Sequence, residues 1–99
     1  MKDIFEYKSF YGYDLAKEMV DSASKIAEVI KTGDIHTEMY NTIIAKTPIP
    51  GGELDGYISN YPELEALLPD GISGAAMYDM VRLIYNIVSG YEIVITNDK

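Results

Sequence analysis

Cysteine is absent from this 99-residue chain, and histidine occurs only once, as His36. Without cysteine there is neither a disulfide framework nor a thiol nucleophile. A chain without disulfides fits a reducing, cytoplasmic compartment. The paired Cys and His spacings that mark common metal sites are missing as well. We therefore expect no metal and no cofactor.

Long apolar runs are also missing. Residues 72–88 form the longest candidate, and Asp79 and Arg82 interrupt it, whereas a membrane-spanning helix needs about 18 or more apolar residues. Residues 1–6 lack the apolar segment of a signal peptide. We expect a cytoplasmic protein with one domain over residues 1–99, because a chain of this size typically builds a single core.

Positive charge is scarce, and the middle of the chain has none. The net charge is −8, from 16 acidic and 8 basic residues. Residues 47–81, which we call the base-free stretch, contain 6 acidic residues and neither Lys nor Arg. Negative charge of this density opposes binding to nucleic acid and to anionic membranes. We expect no direct contact with either, and a basic protein as the partner.

Hydrophobic periodicity predicts the elements of the fold. In chain order they are a strand over 3–9, helices over 14–32, 34–46, 61–68 and 73–89, and a strand over 91–96. Residues 34–46 also fit a strand, although helix is the better match. Pro62 suits the first turn of its helix, Ser73 is the expected N-cap of the last helix, and Gly90 is its expected stop.

These elements predict an α+β fold of three to four helices packed on a small sheet made by the N- and C-terminal strands. The helix over 73–89 would lie at its centre, because apolar residues cover most of its surface. The alternative is a mostly α bundle with one C-terminal strand. Residues 51–56, GGELDG, are predicted to form a plain turn, since they lack the basic residue of a phosphate loop and most ligands of a calcium loop.

No group of residues predicts a catalytic site. His36 lies two positions from Asp34 and Glu38, so on a helix the three would diverge, and we expect His36 to be a surface residue. Asp79 and Arg82, spaced i,i+3, are expected to form a weak ion pair on a solvent-facing stripe. Serine nucleophiles lack a suitable histidine partner. We therefore expect no enzyme activity.

The base-free stretch is the strongest candidate for a functional surface. Four prolines restrict its backbone, and tyrosines suit an interface. Electrostatic attraction would steer a basic partner to such a surface. The predicted partner-binding residues are Glu53, Asp55, Tyr57, Tyr61, Glu63, Glu65 and Asp70.

Together these features predict a small acidic binding protein that inhibits a basic partner, such as a nuclease or another nucleic-acid-binding enzyme, by occlusion. Immunity proteins and phage-encoded inhibitors of host defence, anti-CRISPR proteins among them, share this size and charge; the analogy is one of class. The alternatives are a small-ligand-binding module, with a pocket between the terminal aromatics and the apolar helix, and a self-assembling structural subunit. Crowded aromatics at Phe10, Tyr11 and Tyr13 also predict a homodimer.

Overall fold

The computed structural model describes residues 2–6, 12–45, 51–72 and 74–96. In chain order the elements are β1 (Lys2–Glu6), α1 (Tyr13–Thr32), α2 (Thr37–Ile44), α3 (Gly51–Asn60), α4 (Pro62–Glu65), α5 (Ala75–Val88) and β2 (Glu92–Thr96). A 3₁₀ turn, Asp34–His36, joins α1 to α2. Helices account for most of the described residues, which confirms a small helix-rich fold.

The α1–α5 pair forms the centre of the core. Helix α1 buries one stripe, consisting of Ala16, Met19, Ala23, Ile26, Ala27 and Ile30. Helix α5 buries Met80, Val81, Leu83, Ile84 and Val88. Besides α1, the elements α2, α3 and β2 pack against α5. The apolar helix is thus enclosed on several sides, as its sequence predicted.

The two strands lie beside the helices and are not the layer on which the helices pack. They pair in parallel, with Lys2 opposite Glu92 and Glu6 opposite Thr96. Among the side chains whose burial the structure describes, the fully buried aliphatic residues lie on helices, whereas Ile93 and Ile95 of β2 are only partly buried against that core. This corrects the predicted arrangement: the apolar stripes of α1 and α5 are wide enough to cover each other, so the architecture is closer to a helix bundle.

Most predicted boundaries agree with the structure. The helices predicted over 14–32 and 34–46 correspond to α1 and to the 3₁₀ turn followed by α2. Helix α5 begins after Gly74 and ends before Gly90, and both glycines have positive φ. Ser73, the expected N-cap, lies outside the described residues, as do residues 7–9 of the first predicted strand. Arg82 is exposed and Asp79 is half-buried.

Residues 51–60 form a helix instead of the predicted turn. Leu54 and Ile58, one helical turn apart, are almost completely buried. Burying a large aliphatic side chain is worth about 1.5–3 kcal/mol, whereas a glycine inside a helix costs only about 1 kcal/mol. The burial of these two side chains therefore outweighs the cost of Gly52 and Gly56.

Helix α4 is shorter than predicted. It begins at Pro62, whose missing N–H is harmless in the first turn, and the chain leaves the helix after Glu65. Leu64 nevertheless reaches the core and is fully buried. Within the described ranges, no helix is both long enough and apolar enough to cross a membrane.

Candidate functional site

His36 is buried, contrary to the prediction that it is a surface residue. Its side chain is only 1% exposed. The prediction assumed a regular helix through this position, but the 3₁₀ turn precedes α2 and changes the direction of the ring. The His36 amide donates a hydrogen bond to the carbonyl oxygen of Gly33 at 3.0 Å, which closes this turn.

Gly33 provides the space for the His36 ring. A Cβ atom at this position would lie 2.8 Å from the carbonyl oxygen of Val29 and 2.9 Å from Cδ2 of His36. Both distances are shorter than van der Waals contact, so a larger residue would displace the turn or the ring. Gly33 therefore caps the C-terminus of α1 and also positions the histidine.

Two side chains contact opposite nitrogens of the imidazole. Nδ1 of His36 lies 2.7 Å from the hydroxyl oxygen of Tyr57. Nε2 lies 3.3 Å from Oε2 of Glu63, but this oxygen is off the N–H direction, so Nε2 has no aligned hydrogen bond. A carboxylate facing Nε2 favours the tautomer protonated on that nitrogen. In that tautomer the Tyr57 hydroxyl donates to Nδ1.

Tyr57 and Tyr61 enclose the imidazole. Their ring centroids lie 5.7 Å and 4.9 Å from that of His36, both in edge-to-face geometry. The two tyrosine rings are 4.7 Å apart and tilted by 42°. Aromatic pairs in such arrangements contribute about 0.5–1.5 kcal/mol beyond burial. We call these four residues, His36, Tyr57, Tyr61 and Glu63, the His36 cluster; it fixes α3 and α4 to the α1–α2 connection.

The fold is expected to lose stability at high pH because of Tyr57. Burial, then the neighbouring Tyr61, and then the carboxylates of Glu63 and Glu38 raise the pKa of Tyr57 from 10.0 to about 12. The unfolded chain therefore loses this proton first, so the contribution is intact below pH 10.0 and is lost as the pH rises towards about 12. Because the side chain is only partly buried and solvent screens its interactions, the total loss is on the order of 1 kcal/mol.

Urea unfolding at several pH values across this window measures the effect. Tyr57→Phe should flatten the decline of the unfolding free energy with pH. Tyr78→Phe makes the same chemical change on a side chain that is 73% exposed and should keep the wild-type decline. Equal pH slopes for the wild type and Tyr57→Phe would contradict the assignment.

A groove of about 550 Å³ lies between α2 and α3, next to the His36 cluster. The α2–α3 groove is lined by Ile35, Glu38, Met39, Thr42, Gly52, Glu53, Gly56, Tyr57, Asn60 and Tyr61. Two carboxylates, two tyrosines and two aliphatic side chains thus face one space, and no Lys or Arg is among these lining residues. Gly52 and Gly56 add no side chain, which leaves the α3 side of the groove open.

Of the seven predicted partner-binding residues, four lie at the α2–α3 groove or in the His36 cluster, and three lie outside both. Three line the α2–α3 groove, namely Glu53, Tyr57 and Tyr61, and both tyrosines also belong to the His36 cluster with Glu63. The other three, Asp55, Glu65 and Asp70, do not line the groove; Asp55 is half-buried, and Glu65 and Asp70 are exposed.

Sequence reasoning missed the contribution of α2 to this site. Ile35, Glu38, Met39 and Thr42 line the groove although they lie outside the base-free stretch. Their i, i+3, i+4 and i+7 spacing marks one face of a helix, which is the signal that could have placed them together. His36 carried no such signal, because its burial depends on the 3₁₀ turn.

The site offers carboxylate, phenol and aliphatic groups around one groove. Burial raises the pKa of Tyr57 to about 12, so its phenol keeps its proton, and its ability to donate a hydrogen bond, even at alkaline pH where a free tyrosine ionises. Within the part of the chain that the structure describes, no three His, Asp or Glu side chains are placed to hold a metal ion. No protein-family model, curated protein or solved structure matches this chain. Function is therefore inferred from the chemistry of the groove and its surroundings.

Proposed function

We propose that this chain is a small acidic binding protein that inhibits a basic partner, such as a nuclease or another nucleic-acid-binding enzyme, by occluding its basic surface. The observation that carries the proposal is the α2–α3 groove, which combines Glu38 and Glu53 with Tyr57 and Tyr61. Carboxylates beside aromatic rings suit a basic protein surface, because they attract its charge and pack against its side chains.

The electrostatic surroundings of the groove support this proposal. The exposed carboxylates of Glu53, Glu63, Glu65 and Asp70 all belong to the base-free stretch, which itself contains no Lys or Arg. Exposed charges act over a Debye length of about 8 Å at physiological salt. A partner with a basic surface would be drawn to α3 and α4 at an increased rate, and a nucleic acid would be repelled.

The packing beneath this surface supports occlusion by a fixed shape. Leu54 and Ile58 of α3 and Leu64 of α4 are buried in the same core cluster as α1 and α5. The acidic surface is therefore ordered before a partner arrives, and binding does not have to order it. Such preorganisation favours affinity because the entropic cost of ordering is avoided.

Binding without catalysis is also part of the proposal. The imidazole of His36 is 1% exposed, and its Nδ1 is occupied by the Tyr57 hydroxyl. A general base must reach the proton that it removes from a substrate. The buried ring is better suited to holding Tyr57 in place, so we propose neither an enzyme activity nor a cofactor.

A small-ligand-binding module is the second candidate, and the volume of the α2–α3 groove favours it. About 550 Å³ is typical of small-molecule pockets. The pocket predicted beside the terminal aromatics involves residues outside the described ranges. A homodimer stays a proposal too: Tyr13 is 53% exposed, whereas Phe10 and Tyr11 lie outside those ranges. Native mass spectrometry separates a retained metabolite from a second copy of the chain.

Neutralising three exposed acids of the base-free stretch is expected to slow association with the basic partner about tenfold, because charges at an interface rim mainly set the association rate. The variant is Glu53→Gln, Glu65→Gln, Asp70→Asn. Affinity capture with the tagged wild type identifies the partner, and surface plasmon resonance at two salt concentrations gives the rates. The thermal melt should stay within a few degrees of wild type, since all three side chains are exposed.

The matched control removes the same number of negative charges from the solvent face of α1. It is Glu18→Gln, Asp21→Asn, Glu28→Gln, all exposed. This control should leave the association rate within twofold of wild type. If it slows association as much as the acidic triple, net charge and not this surface governs binding. If the captured partner cleaves or binds nucleic acid equally well with and without the saturating wild-type chain, occlusion is wrong.

A further inference from the structure

The α2–α3 groove contains the groups that recognise a guanidinium. Glu38 and Glu53 enter it from the two helices that form its walls. A guanidinium presents a planar fork of N–H donors, and paired carboxylate oxygens accept from such a fork in bidentate geometry. Since no lining residue is Lys or Arg, the carboxylates have no cation of their own within the groove.

The aromatic side of the groove suits the same group. Tyr57 and Tyr61 line the groove with their rings 4.7 Å apart, and both rings pack against the buried His36. Arginine stacks on aromatic faces more readily than lysine does, because its charge is delocalised over a plane and is weakly hydrated. The His36 contacts hold these rings in place, so little side-chain entropy is lost when a guanidinium stacks on them.

The aliphatic lining completes the match. Ile35 of the 3₁₀ turn and Met39 of α2 border the groove. The three methylene groups of an arginine side chain pack on apolar surface while the charged end reaches polar groups. A lysine would satisfy the carboxylates but would not stack, and a phosphate or a nucleic acid would be repelled by them.

We propose that the α2–α3 groove is an anchor site for an arginine side chain of the basic protein partner, with Glu38 and Glu53 binding the guanidinium and Tyr57 and Tyr61 stacking on it. This inference rests on the proposed function and names the residue type that the partner inserts. Because aromatic and arginine anchors dominate protein interfaces, one such residue would contribute much of the affinity.

Titration of the ¹⁵N-labelled chain with N-acetyl-arginine amide, followed by NMR, tests the anchor site. N-acetyl-citrulline amide is the comparison, since it has nearly the same shape and no charge. The expected result is a dissociation constant of about millimolar for the arginine probe, with the largest shifts at the amides of Glu38, Met39, Glu53 and Gly56. The citrulline probe should bind at least about fivefold more weakly.

Matched charge variants separate local recognition from net charge. Glu38→Gln with Glu53→Gln should weaken binding of the arginine probe about tenfold. Glu65→Gln with Asp70→Asn removes two exposed carboxylates outside the groove and should change it less than twofold. The anchor-site proposal is wrong if the two probes bind equally well or if the two variants have equal effects. It is also wrong if the chemical shifts change only at residues outside the groove.

Different results would disprove the anchor site and the proposed function. If the arginine probe does not bind in the groove but the acidic triple variant still slows association with a basic partner, only the anchor is wrong. If the probe binds in the groove but that variant leaves association unchanged, the groove recognises arginine and the proposed acidic docking surface is wrong.

Discussion

Ile84→Asp is expected to abolish folding. Ile84 is fully buried on α5 and belongs to the core cluster formed by the helices. Removing a large buried aliphatic side chain costs about 2–5 kcal/mol. An unpaired buried carboxylate adds a penalty of several kcal/mol or forces the group to bind a proton. The sum is comparable to the entire stability of a small domain, roughly 5–15 kcal/mol.

Circular dichroism with a thermal melt measures this effect. Tyr78→Asp introduces the same carboxylate on the same helix, at an exposed position, and should keep a cooperative transition close to wild type. A cooperative melt of Ile84→Asp near that of wild type would contradict the assignment of α5 as the centre of the core.

His36→Ala is expected to destabilise the fold by about 2–4 kcal/mol. The change removes the ring that packs against Tyr57 and Tyr61 and leaves a cavity next to α3. It also removes the acceptor of the Tyr57 hydroxyl, which is then left part-buried without its partner. The loss should be the largest for any single residue outside the aliphatic core, because one ring serves packing and hydrogen bonding together.

Urea unfolding gives the free energy for this comparison. Ile35→Ala provides the control, because Ile35 is the adjacent residue and is 65% exposed. It should change the free energy of unfolding by less than about 0.5 kcal/mol. A loss below about 1 kcal/mol for His36→Ala would show that the ring is not a structural element of the site.

The helices that were predicted well are those with an unambiguous apolar stripe. Helix α1 has one continuous apolar stripe, and on its opposite face Lys17 and Asp21 form an exposed ion pair of 3.6 Å. The helical period of its apolar residues is therefore clear in the sequence. Helix α5 was predicted because apolar residues cover most of its surface over a length typical of a helix. Glycine content was misleading in α3, because the burial of Leu54 and Ile58 decides that segment and burial is a property of the whole fold.

The candidate site was predictable only in part. Three of the predicted partner-binding residues, Glu53, Tyr57 and Tyr61, lie on the groove, and their role in binding stays a prediction. The opposite wall of this groove, on α2, could not be inferred, because the sequence spacing does not show that the consecutive helices α2 and α3 face each other. The burial of His36 could not be predicted either. The prediction assumed helical spacing, whereas His36 lies in a short 3₁₀ turn.

The His36 cluster affects how α3 and α4 can detach from the rest of the fold by local unfolding. Any movement that separates α3 and α4 from the rest must break the Tyr57–His36 hydrogen bond. The same movement brings Leu54, Ile58 and Leu64 into water together, because all three belong to the common core. We therefore expect the two helices to detach as one cooperative unit. In that case the acidic surface is lost as a whole and is not weakened gradually by fraying of a single helix.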